Sequence, residues 1–156
     1  MQRPWLIELN QDCLDILKQT LIAAEPEEGC GLLLGKKCKS NFFVSNIVWR
    51  VELIWPCKNI WEPTFLREIE LQETTSTTHQ EIPSRLNRFA IDPLEQLHAQ
   101  KWARHKGMQI LGTAHSHPLR RPQPSDIDLS WIVAPGLMVI MGQSKTFKAW
   151  WMVNNQ

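Results

Sequence analysis

The stretch that decides how this chain reads is Gly112-Thr113-Ala114-His115-Ser116-His117-Pro118-Leu119-Arg120-Arg121-Pro122-Gln123-Pro124-Ser125-Asp126-Ile127-Asp128. The residues before it, Met108 to Leu111, form an apolar run that suits a buried strand. If the strand continues through the histidines, His115 and His117 lie two apart and point to one face. Two imidazoles on one face can share a metal ion. Pro118 lacks an N–H donor and ends the strand. A proline-rich loop follows, and Ser125 then has the character of a helix N-cap. Asp128 lies one helical turn further on, on the same face. A strand end and a helix start thus offer His, His and Asp. A catalytic zinc site needs three N/O ligands and one open position for water. Taken singly, each feature has an ordinary reading. Histidines near a strand end are often exposed loop residues, and Ser125 with Asp128 is equally a cap with a first-turn carboxylate. Asp126 competes with Asp128 for the place of third ligand.

The gapless string His-x-His-Pro, six residues, then Ser-x-x-Asp resembles the signature of the JAMM (MPN-plus) metalloprotease family. The resemblance implies one zinc ion per chain, held by His115, His117 and Asp128, with Ser125 helping to hold an oxyanion. The offset from Ser125 favours Asp128 over Asp126. It also implies a glutamate general base two residues before a Cys-Gly step. In Glu28-Gly29-Cys30-Gly31 the matching residue is Glu28, with Glu27 and Glu25 close by in the same turn. Without the resemblance, a glutamate there reads as a solvated turn residue. Arg88-Phe89-Ala90-Ile91-Asp92-Pro93 resembles the family's entry to its second helix, and Asn59 is a looser match. The resemblance covers nearly the whole chain except 61–87.

The implied reaction is hydrolysis of a peptide or isopeptide bond after the C-terminal glycine of ubiquitin or a ubiquitin-like protein. This short chain is similar to the stand-alone prokaryotic members, so the expected partner is a ubiquitin-like or sulfur-carrier protein. The alternative is a catalytically silent MPN-type binding module, against which the intact set of Glu28, His115, His117, Ser125 and Asp128 argues. A zinc deaminase would carry His-x-Glu with a later Pro-Cys-x-x-Cys, and the sequence has neither.

Length and composition narrow the field further. At 156 residues and 43% hydrophobic, residues 1–156 suit a single domain with its own core. The net charge of +1 gives no general electrostatic case for nucleic acid or an anionic membrane. Cys13, Cys30, Cys38 and Cys57 make no Cys-x-x-Cys pair and read as free, mostly buried thiols rather than a disulfide framework or structural zinc site. The N-terminus has no apolar signal core and no run reaches membrane-spanning length, so a cytoplasmic setting is expected.

In chain order, residues 6–9 read as an edge strand and 11–24 as an amphipathic helix capped by Asn10. A short buried strand follows between Gly31 and Gly35. Residues 42–55 read as one long strand, or two with a kink near Asn46, broken by Pro56. Residues from Glu62 suit a short helix, and 74–84 are polar, so 61–87 reads as a mobile insertion. Asp92 and Pro93 open a helix ended by Gly107, with Leu94, Leu97 and Trp102 as its apolar face and His98 and His105 as surface or packing residues rather than ligands. A third helix is expected after Ser125, then strands at 137–141 and 147–153. That order predicts an α/β fold, a central mixed, partly curled sheet flanked by helices. The resemblance implies the JAMM/MPN, cytidine-deaminase-like version of it.

Overall fold

The alternation along the strand Cys30–Lys39 sets up two cores. Leu32 and Leu34 face one side of the sheet and Leu33 the other, and all three are fully buried. Burying one such leucine contributes about 2 kcal/mol. The computed structural model describes residues 2–39, 46–65, 82–132 and 134–153. Their elements are β1 (Leu6–Leu9), α1 (Gln11–Ile22), β2 (Cys30–Lys39), β3 (Ile47–Cys57), a 3₁₀ turn (Pro63–Phe65), α2 (Pro93–His105), β4 (Gln109–Ser116), α3 (Asp126–Ser130), β5 (Gly136–Met141) and β6 (Phe147–Met152). The six strands form one mixed sheet in the order β1-β3-β2-β4-β5-β6. β1 runs parallel to β3 and β4 parallel to β5, while the other neighbours are antiparallel. This is the expected mixed sheet flanked by helices. No helix among the described residues is long and apolar enough to cross a membrane.

α1 starts where Asn10 accepts a hydrogen bond from the Cys13 N–H at 2.8 Å. It lays Cys13, Leu17 and Leu21 against Leu33, Trp49, Val51 and Leu111. α2 covers the opposite face, capped by Asp92 with Pro93 in its first turn. Its inward residues are Ala99 and Ala103, against Leu32 and Leu34. Of the expected apolar face, Leu94 and Leu97 are instead exposed, and Trp102, about one-third exposed, packs on Trp55 with ring centroids 5.7 Å apart. Small residues let the helix axis approach the sheet closely, and the larger side chains are left on the outer flank.

Two bulges decide which way the strands face. Register against β2 skips Glu52 in β3 and Leu111 in β4. An extra residue reverses the alternation beyond it. Ile110 faces the α2 side, whereas Leu111 and Ala114 both join the α1 core. By alternation, His115 then turns to the α2 side. β3 runs through Pro56 to Cys57 rather than breaking there. Among the described residues β1 pairs only with Val48 to Val51 and none pairs with the outer edge of β3 at Pro56, where a missing N–H donor breaks no described ladder bond. The strand expected over 42–45, and the helix and loop expected over 66–81 within the proposed insertion, lie outside the described residues.

Candidate metal centre

At one end of the sheet, β2 begins while β3, β4 and β5 end. Cys30 is paired with Cys57 on one side and His115 on the other, and Ser116 with Met141. His115 is the last but one residue of β4. His117 lies just beyond, and its N–H extends the ladder to the Met141 carbonyl at 2.8 Å. Both histidines are buried, with their Nε2 atoms 3.0 Å apart. The His117 Nδ1–H donates to the Arg121 carbonyl at 3.0 Å, which turns the Nε2 lone pair into the site. The His115 ring stacks on Phe89 with centroids 4.3 Å apart. Its Nδ1 has no hydrogen-bond partner among the described residues. His117 thus has an acceptor for its second ring N–H, and His115 has none among the described residues.

α3 brings in the carboxylate. The Ser125 hydroxyl accepts from the Asp128 N–H at 3.1 Å, and the Ser125 N–H donates to Asp128 Oδ2 at 2.8 Å, a reciprocal capping box. The same Oδ2 lies 3.3 Å from the Nε2 of both histidines. Asp128 is buried and Asp126 exposed. The turn that caps the helix therefore also aims the carboxylate. Because a hydroxyl both accepts and donates, Ser125 keeps its proton available.

Glu28 is clamped by three chain segments. Its N–H donates to the Arg85 carbonyl at 2.8 Å, and its carbonyl accepts from the Asn59 side chain at 2.9 Å. The next residue, Gly29, donates its N–H to the Ser116 hydroxyl at 2.8 Å. A Cβ on Gly29 would lie 2.8 Å from the Leu21 carbonyl oxygen, so only glycine allows α1 this close. Asn59 also bonds the Arg88 carbonyl and the N–H groups of Trp61 and Ala90, tying Glu28 to the segment before α2. Glu28 is almost fully buried; Glu27 is only partly buried and Glu25 exposed. Glu28, His115 and His117 can each offer a ligand atom within 4.8 Å of the others. Two carboxylates thus flank the histidine pair, with Asp128 in direct contact.

Burial pushes the Asp128 carboxyl up, but hydrogen bonds from His115, His117 and the Ser125 N–H outweigh it and hold the group well below the usual carboxylate range. Burial holds His115 below the ordinary histidine value. It acts the same way on His117, but Asp128, the Arg121 carbonyl and Glu28 reverse it and raise that group. Burial raises Glu28 to about 7, against the opposing pull of His117 and Arg120.

The donor set fits a divalent cation. Two imidazole nitrogens and an ionised carboxylate oxygen converge within 3.3 Å of one another, and a cation among them satisfies all three.

Reasoning from sequence read Arg120 with Arg121 as a solvated loop or a partner contact, whereas its Nη2 donates to Glu28 Oε1 at 2.8 Å, and it gave no role to Ser116, which fixes Gly29. Their positions inside the motif loop and between the two histidines were the available signals. It also missed Phe89, which lies in a segment noted only as a helix entry.

The sequence profile of the prokaryotic homologs of the JAB domain matches residues 10–153. The fold resembles the solution structure of protein DSY2949 from Desulfitobacterium hafniense, with a TM-score of 0.71 at 22% identity, covering 96% of this chain and 86% of that one. A solution structure from Salinibacter ruber matches at 25% identity and a TM-score of 0.53, covering 90% and 78%. A JAB1/MPN domain protein from Archaeoglobus fulgidus matches at 19% identity and a TM-score of 0.43, covering 93% and 86%. No curated protein matches the sequence significantly. With the profile spanning nearly all of the chain, this protein belongs to the prokaryotic homologs of the JAB domain.

Proposed function

We propose that this protein is a zinc-dependent hydrolase that cleaves a peptide or isopeptide bond after the C-terminal glycine of a ubiquitin-like or sulfur-carrier protein in the cytoplasm. The observation that carries this reading is the convergence of His115, His117 and Asp128 beside a second, buried carboxylate, Glu28. Membership in the JAB family supports the reaction class.

In this reading His115, His117 and Asp128 hold the ion, and Glu28 remains outside the ligand set as the base. Zinc held there would supply Lewis acidity, acidifying a water nucleophile and drawing charge from a carbonyl oxygen. Glu28, buried beside the histidine pair, takes a proton from the water as its oxygen bonds to the carbonyl carbon. The carbon–nitrogen bond then breaks, and Glu28 returns the proton to the departing amine. The Ser125 hydroxyl donates to the carbonyl oxygen while negative charge builds there. The Arg121 carbonyl keeps His117 in the tautomer that presents Nε2.

The test is cleavage of a sulfur-carrier protein extended past its terminal glycine, followed by mass spectrometry. The zinc-loaded protein should release the extension, lose activity to a chelator, and regain it with zinc. A zinc-loaded protein that cleaves neither peptide nor isopeptide fusions of such carriers would overturn the reading in favour of a silent binding module.

A further inference from the structure

The loop between the histidines and α3 delivers a side chain that the proposed reaction has not used. Arg120 Nη2 donates to Glu28 Oε1 at 2.8 Å. Among the described residues, no other group donates to that carboxylate, which is nearly fully buried. The Arg120 side chain is about one-third exposed.

The loop backbone is tied down from below. The Arg120 N–H donates to the His117 carbonyl at 3.3 Å, and the Arg120 carbonyl accepts from the Gln143 N–H at 2.7 Å. The Trp150 indole donates to the Pro122 carbonyl at 2.9 Å. Gly142 lies flush under the loop, since a Cβ there would come 2.5 Å from Pro122 Cδ and 2.7 Å from Pro122 N. The β5–β6 hairpin therefore holds the loop, the loop holds the arginine, and the arginine holds one oxygen of Glu28.

We propose that Arg120 is a positioning residue for the hydrolysis, fixing the Glu28 carboxylate by Oε1 so that Oε2 is presented to water, with the β5–β6 hairpin as its support. This rests on the reading of Glu28 as the base. A glutamate side chain has three rotatable bonds, and its backbone clamp does not fix the carboxylate. A misplacement of about 1 Å at such a group costs on the order of 100-fold in rate. A planar guanidinium with several donors fixes a carboxylate's orientation better than a single ammonium does.

The experiment compares wild type, Arg120→Gln, Arg120→Lys and Trp150→Phe, each loaded with zinc. Zinc stoichiometry, kcat and KM are measured on the extended carrier protein. Arg120→Gln should keep its zinc and lose about 10- to 100-fold in kcat, with KM within about twofold. Arg120→Lys should recover part of the loss, and Trp150→Phe should show a smaller fall in kcat. A rise in KM at unchanged kcat would make Arg120 a substrate contact and overturn the proposal, as would unchanged kinetics in Arg120→Gln.

A second readout needs no activity. In metal-free protein at pH 8, Arg120→Gln should lower Tm in the wild-type background and lower it less in Glu28→Gln, where a neutral acceptor replaces the charge. Additive Tm shifts would overturn the Arg120–Glu28 link. An inactive zinc-loaded wild type would instead defeat the hydrolase reading, and with it the role of Arg120 in hydrolysis. The two failures are distinguishable.

Discussion

Replacing Glu28 by glutamine should stabilise the metal-free protein, and the gain should depend on pH. Burial raises the Glu28 carboxyl from 4.5 to about 7, so the folded chain binds this proton more tightly than the unfolded chain. Stability from this group is therefore fully present below the unfolded value of 4.5 and is lost as pH rises to about 7. A shift of about 2.5 units at 1.36 kcal/mol per unit makes ionised Glu28 cost about 3 kcal/mol above that pH. Glutamine keeps the size and an acceptor for Arg120 but carries no charge to desolvate. The variant should match wild type near pH 4.5 and exceed it by about 3 kcal/mol at pH 8, or roughly 6–12 °C in Tm. The assay is thermal and urea unfolding of both proteins in chelator across that range. Taking the difference between them removes the titration of groups that Glu28 does not touch, while His117, which the Glu28 charge raises, shifts in the variant and adds a pH dependence of its own. A gap that does not change with pH, or a variant less stable at pH 8, would refute the reasoning.

Asp128→Ala should lose metal, since it removes the oxygen 3.3 Å from both imidazoles, whereas Asp126→Ala should hold metal like wild type; equal loss by elemental analysis would refute the ligand choice. Zinc affinity should fall as pH drops, beginning above the ordinary histidine value, because His117 is raised and a proton competes for Nε2. Calorimetry in buffers of different ionisation enthalpy should show proton release on uptake, and its absence at neutral pH would count against this. Asn59→Ala removes hydrogen bonds to the Glu28 and Arg88 carbonyls and the Trp61 and Ala90 N–H groups, and should cost about 2–4 kcal/mol in urea unfolding. A loss under about 0.5 kcal/mol would show that water replaces those bonds.

The candidate site was legible where its geometry is local. The alternation of a strand places His115 and His117 together, and one helical turn relates Ser125 to Asp128. Glu28 was legible only through the family resemblance, because nothing in its own neighbourhood distinguishes it from Glu27. What brings it to the histidines is the pairing of Cys30 with His115 and the bond from Gly29 to Ser116. The face presented by His115 depends on the extra residue at Leu111, and no local signal in the apolar run marks that bulge. Arg120 was hidden for a similar reason, since its reach to Glu28 is set by Gly142, Gln143 and Trp150 far along the chain. The inward face of α2 was misread because a periodicity of large apolar residues selected Leu94, Leu97 and Trp102. Close packing selected Ala99 and Ala103.

The central claim divides the site into three ligands and one base, and Glu28→Gln tests that division most directly. The measurement is zinc per chain together with turnover of the extended carrier protein by the same preparation. The account predicts one zinc per chain, as in wild type, with turnover reduced by about 100-fold or more. Loss of the zinc would make Glu28 a ligand, and retained turnover would place the base elsewhere; either result would contradict the account.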